Sequence, residues 1–173
     1  VKVTVELPNG KVITVDVPVT VTPVKGIETP VTKTPLSPED YTKGIKIPEG
    51  GKVTGVTNIP DLTTPGQKDP VKVTVELPNG KMITVDVPVN VTPVNGIETP
   101  VTNTPLTPED YTKGIKIPEG GKVTNVENIP DLTTPGKKAP VKVTVELPNG
   151  KTITVDVPVN VTPVNGIETP VTN

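Results

Sequence analysis

The sequence contains no cysteine, no histidine and no arginine, and its only aromatic residues are two tyrosines, Tyr41 and Tyr111. Without cysteine there is neither a disulfide framework nor a thiolate metal site. Without histidine the usual general base near neutral pH and the commonest metal ligand are missing. Without arginine there is no planar fork to grip phosphate or carboxylate. Ser37 is the only serine, and nothing in the composition activates it as a nucleophile. No apolar run approaches the roughly 18 residues of a membrane-spanning helix, and no signal peptide is visible. The lysines are balanced by acids to a net charge of −2, with no basic stripe interleaved with aromatics, which argues against nucleic acid. These absences predict a protein that is not an enzyme. They predict no catalytic residue, no cofactor, no metal, no small-molecule ligand and no membrane insertion.

What is present is repetition. The run Val1-Lys2-Val3-Thr4-Val5-Glu6-Leu7-Pro8-Asn9-Gly10-Lys11 returns at Val71 and again at Val141, a period of 70 residues. Residues 1–70 and 71–140 differ at nine positions, and 141–173 differ from 71–103 only at Met82/Thr152. Seventy residues is too long for a solenoid unit and suits a small independent domain. Valine and threonine supply 61 of the 173 residues, a β-branched alphabet that favours strands. Leucine, isoleucine and valine together number 51, which with the low net charge places the chain among folded proteins despite 24 prolines.

Within one period the clearest element is a β-hairpin over residues 1–21. Val1, Val3, Val5 and Leu7 alternate with Lys2, Thr4 and Glu6, and Pro8-Asn9-Gly10 forms the turn, with glycine in the left-handed position. This register pairs Val5 with Ile13, Val3 with Val15 and Val1 with Val17, and sets Lys2 opposite Asp16. Position 12 reads Val, Met and Thr in the three copies, so it is expected to face solvent. Pro18 cannot donate to a ladder and predicts a sheet edge or a bulge. Residues 22–38 read as an extended connector with a short strand around Val31. Ser37-Pro38-Glu39-Asp40 then predicts one helical turn, capped by Ser37 and ended by Gly44. Short strands are expected around Ile45, Ile47, Val53 and Val56.

The ordered set Ile115-Lys116-Ile117-Pro118-Glu119-Gly120-Gly121, Pro130-Asp131-Leu132-Thr133-Thr134-Pro135-Gly136-Lys137, Val141-Lys142-Val143-Thr144-Val145 and Pro148-Asn149-Gly150-Lys151 resembles the Rib/alpha-like repeat of Gram-positive surface proteins. Order and spacing match over about 50 residues of each period. Leu132-Thr133 replaces the family's usual Thr-Ser, Leu147 its Tyr, and Asn149 its Asp. The resemblance implies an all-β chain of tandem small immunoglobulin-like β-sandwich domains arranged as an elongated rod. It also implies a phase in which the Pro-Asn-Gly hairpin closes each domain. That places complete domains at 26–94 and 95–164, the hairpin of a truncated repeat at 1–25, and the start of another at 165–173. A phase beginning at Val1 is the alternative that periodicity leaves open.

Each candidate motif has a plain structural reading. Ser37 and Thr107 read as helix caps. Glu39/Asp40 and Glu109/Asp110 lack the Asp-x-Asp-x-Asp spacing of a calcium loop and read as acids of a first helical turn. Leu7-Pro8-Asn9-Gly10 lacks the threonine of a sortase signal and recurs in every repeat. Asn90-Val91-Thr92 and Asn160-Val161-Thr162 match the N-glycosylation pattern but fall in a strand. Tyr41 and Tyr111 read as the largest core pieces rather than ligand-stacking rings. An intramolecular Lys–Asn or Lys–Asp isopeptide bond stays open at this point, although no lysine falls on an assigned core face. The function implied is a structural stalk of a cell-wall-attached extracellular adhesin, a monomeric rod projecting a distal binding domain, with any host ligand held by other domains. The alternative is a multivalent module in which the repeats themselves bind a host glycan or protein.

Overall fold

Alternation of valine with threonine and charged residues gives every long strand one apolar face, and the fold follows from where those faces meet. The computed structural model describes residues 1–172. Strands β1 (Lys2–Glu6) and β2 (Val12–Asp16) form an isolated hairpin. Strands β3 (Ile27–Pro30), β4 (Lys52–Thr57), β5 (Gly66–Glu76) and β6 (Met82–Thr92) form one sheet, in the order β3-β6-β5-β4. Strands β7 (Ile97–Pro100), β8 (Lys122–Glu127), β9 (Gly136–Glu146) and β10 (Thr152–Thr162) repeat it as β7-β10-β9-β8. The chain is therefore all-β, with two tandem domains of the same topology.

The expected hairpin register holds in every copy. Lys2 pairs with Asp16, Val3 with Val15 and Val5 with Ile13, and the equivalent pairs recur in β5–β6 and β9–β10. Gly10, Gly80 and Gly150 all adopt positive φ, between 82° and 87°, and each donates its N–H to the leucine carbonyl that opens the turn. Val12 and Met82 lie on the exposed face, as the drift in residue type at that position requires.

Prolines shape the sheets. In the central pair β5–β6 the ladder breaks between Lys68 and Val71, opposite Pro88. A residue without an N–H cannot serve there, so the bulge is the solution used, and β6 remains an interior strand. The break divides each 11-residue strand into two halves, one flanked by β4 and the other by β3. The sheet curls at this point, and its two halves enclose one core. In the first domain Val71, Val73, Val75, Val87, Val89 and Val91 are all buried around Tyr41, and the second domain repeats this around Tyr111.

Three local expectations are corrected. The strand expected around Val31 ends one residue earlier, at Pro30, and pairs parallel with the last strand of its domain. The helical turns are 3-10 turns, Pro38–Tyr41 and Pro108–Thr112, with C-caps at Thr42 and Lys113 rather than at glycine. Gly44 is instead a point of close approach: it accepts a hydrogen bond from Lys25 N at 3.0 Å, and a Cβ there would collide with the Lys25 carbonyl. Ile45 and Ile47 pack on the core without forming a strand, because β4 begins only at Lys52.

The turn makes a quantitative claim. Gly80→Val should cost about 1–3 kcal/mol, since no neighbouring atom lies within 4 Å of a Cβ at Gly80 and the penalty is the positive φ alone. Met82→Lys, on the exposed face, should stay within about ±0.5 kcal/mol. Urea denaturation of both variants checks the order, and a larger loss for Met82→Lys would overturn the face assignment.

Candidate functional site

The elements that bear on function meet where one domain abuts the next. The first half of β10, residues 152–157, pairs with β9 on one side only, because β7 reaches just the stretch from Val159 to Thr162. Its other edge carries free peptide groups, which a protein normally covers. Two threonines of the preceding domain cover them. Thr32 Oγ1 donates to Thr154 O at 2.6 Å, and Thr154 N donates to Thr34 Oγ1 at 3.1 Å. The side chains of one domain thus cap the sheet edge of its neighbour.

Charge and polar contacts extend this junction along the flank of the first domain. Asn149 Nδ2, in the hairpin turn of the second domain, donates to Asp40 O at 3.2 Å. Lys116 Nζ lies 3.0 Å from Glu28 Oε1, an ion pair without hydrogen-bond alignment. Lys33 stands 3.8 Å from Asp156, and Lys151 stands 3.9 Å from Asp40. Comparison of equivalent residues shows what the contact buries. Ile153 is 1% exposed and its first-domain counterpart Ile83 is 37% exposed. Thr32, Leu36 and Asp40 are buried, whereas Thr102, Leu106 and Asp110 are half-buried. Neighbouring domains therefore pack directly on one another, through an exposed β-edge and threonine caps that only the curled sheet brings together.

Between the two domains lies a cleft of about 330 Å³, with Lys25, Glu28 and Lys43 on one wall and Pro118, Glu119 and Asn149 on the other. It contains no aromatic ring on which a sugar could stack.

The individual motifs fall into place around this junction. Ser37 caps the first 3-10 turn, and its N–H and hydroxyl both donate to Asp40 Oδ2, at 2.7 and 3.0 Å. Thr107 does the same toward Asp110 and also accepts from Asp110 N at 3.4 Å. Each cap hydroxyl is thus committed to its carboxylate. Glu39 is exposed while Asp40 is buried, so the acid pair does not converge. Both tyrosines are fully buried, with hydroxyls that find no partner among the described residues. Burial first, and the Asp40 charge second, push the Tyr41 phenol up to about 12. Asn90 and Asn160 lie within strands, paired with Gln67 and Lys137. Leu7-Pro8-Asn9-Gly10 is a closed turn, with Asn9 Oδ1 accepting from Lys11 N at 3.0 Å. The cross-strand pairs Lys72–Asp86 and Lys142–Asp156 are ion pairs at 2.9 and 2.8 Å on the outer face, not core cross-links.

Asp40 gives the first domain a pH dependence, to which the junction adds through Lys151. Burial raises its pKa, but hydrogen bonds from Ser37 and the charges of Lys151 and Lys43 outweigh this, and the net shift is downward. A lowered pKa contributes stability that is complete above the ordinary value of 3.8 and lost as pH falls through the folded value. The melting temperature of the chain should therefore drop below about pH 4, and Asp40→Asn should flatten that drop. Thermal melts from pH 6 to 2.5 check this; identical acid limbs for both proteins would contradict it.

A family model described as Rib domain matches residues 24–93 and again 94–163. The C protein alpha-antigen of Streptococcus agalactiae serotype Ia is 40% identical over 194 residues, covering 94% of this chain and 18% of that protein. The chain thus spans less than a fifth of its relative's length. SGBP-B of the Bacteroides ovatus mixed-linkage glucan utilization locus, solved with a mixed-linkage heptasaccharide, is 15% identical over 79% of this chain and 43% of that one. Its TM-score of 0.23 carries no structural argument.

Proposed function

Because this chain belongs to the Rib-domain family, with two matches in tandem, we propose that its repeats are a non-enzymatic spacer on the bacterial surface. They form a stalk anchored to the cell wall that holds a distal adhesive domain away from the cell. The observation that carries this reading is the junction. A single exposed residue, Pro93, separates β6 from the bridge at Val94, and direct contacts hold the two domains in a defined relation. A connector that short, with fixed contacts on both sides, transmits orientation along an array instead of letting it collapse. The 40% identity to the C protein alpha-antigen supports placing it outside the cell in a Gram-positive bacterium.

The inter-domain cleft favours a second reading, in which each junction is a weak site for a polar ligand and repetition supplies avidity. Glycan and host-protein arrays probed with the 173-residue chain separate the two. The spacer reading expects no selective signal. A signal that survives dilution and is lost when the cleft is altered by Glu119→Lys would establish the binding module instead.

A further inference from the structure

The topology of each domain has a mechanical consequence. Its first strand pairs with its last, and the pairing is parallel: Ile27 to Pro30 lies against Val89 to Thr92, and Ile97 to Pro100 against Val159 to Thr162. The chain enters at the start of the first strand and leaves at the end of the last. When the two ends are drawn apart, the adjacent strands are pulled in opposite directions along their own axes. All hydrogen bonds between them then carry load together, in shear. An antiparallel hairpin pulled open from its free end would instead surrender its bonds one at a time.

Further contacts lock the first strand in place. Val31 N donates to Thr92 O and Val101 N to Thr162 O, both at 2.9 Å, extending each pair beyond the strand proper. Lys25 N and Asn95 N donate to Gly44 O and Gly114 O, tying the entering chain to the loop behind it. Gly26 and Gly96 sit so close to Pro88 and Pro158 that a Cβ would come within 2.8 Å of the proline ring, which wedges the entry against the bulge.

We propose that each repeat is a mechanical clamp that resists unfolding under end-to-end tension, with β3–β6 and β7–β10 as the load-bearing pairs. This concerns how one domain bears force, and it stands or falls independently of the spacer role. The chain has no native cysteine, so pulling handles can be placed at will. In one geometry the 173-residue chain is pulled from its termini. In the other, handles on Thr64→Cys and Pro93→Cys, both at exposed positions, draw apart the open end of the β5–β6 hairpin, just outside the Gly66–Val91 pair. Both pulls unfold the first domain from the same native state, so its equilibrium stability cancels in the comparison; unchanged thermal melts establish that the cysteine variants remain folded.

In force spectroscopy, end-to-end pulling should give two separate unfolding events, each releasing about 220–240 Å for residues 27–92 or 97–162 at roughly 3.3–3.6 Å per residue. The force should be at least about twofold higher than for hairpin opening at the same loading rate, because forced unfolding reports the barrier and not the stability. Equal forces in the two geometries, or a higher force for hairpin opening, would overturn the clamp.

Discussion

Tyr111→Ala is expected to bring the second repeat to the edge of unfolding at 25 °C while the first repeat persists, and Tyr111→Phe is expected to leave stability unchanged or slightly raised. Tyr111 is fully buried and is the one ring in a core otherwise built of aliphatic side chains. Truncating a buried aromatic costs about 3–5 kcal/mol, and small valine side chains on fixed strands cannot swing in to fill the space. Single domains commonly hold only about 5–15 kcal/mol in total, and one this small, without disulfide or metal, sits at the low end. The phenylalanine variant moves the other way because the Tyr111 hydroxyl finds no hydrogen-bond partner among the described residues. Deleting it removes an uncompensated desolvation cost and leaves the packing of the ring intact. Denaturation followed by circular dichroism should turn biphasic for Tyr111→Ala and remain at the native midpoint or above for Tyr111→Phe. A marked loss for the phenylalanine variant would mean that the hydroxyl is satisfied.

Gly114→Ala is expected to cost about 3 kcal/mol, the upper end for overpacking, although alanine is the smallest possible addition. The new methyl would meet the carbonyl oxygen of Asn95, and that segment cannot retreat without breaking the 2.9 Å bond from Asn95 N to Gly114 O. Gly44 meets Lys25 in the same way. Gly55→Ala is the control: its φ is not in the left-handed region, the nearest atoms lie 4.0 Å from a Cβ, and the second repeat carries Asn125 there. It should be neutral or mildly stabilising, by up to about 1 kcal/mol. Matching denaturation midpoints for Gly114→Ala and Gly55→Ala would refute the close-approach account.

Much of the fold was legible in the sequence because the repeats supply their own controls. The drift Val12, Met82, Thr152 marks an exposed face without any structure, and the fixed valines on the opposite face mark the core. Lys2 opposite Asp16 sets the hairpin register, and Ser37-Pro38-Glu39-Asp40 announces its own cap. What the sequence hid depends on non-local geometry. Ile27 to Pro30 has too few residues and too many neighbouring prolines to read as a strand, and its parallel partner lies about 60 residues away along the chain. Gly44 looked like a helix stop, since close approach to Lys25 leaves no local signature. The junction was the least visible of all. Thr32, Thr34 and Thr154 are three among 29 threonines, and only the curled sheet shows that the first two cap the edge on which the third lies.

The central claim is that tandem repeats with fixed junctions form an extended array, and small-angle X-ray scattering measures this most directly. One repeat should have a radius of gyration of roughly 11 Å, and a compact globule the length of the whole chain roughly 16 Å. The 173-residue chain should exceed the latter figure clearly, and chains of two, three and four repeats should gain maximum dimension by a constant step. A radius of gyration near that of the compact globule, or a maximum dimension that levels off as repeats are added, would contradict the account.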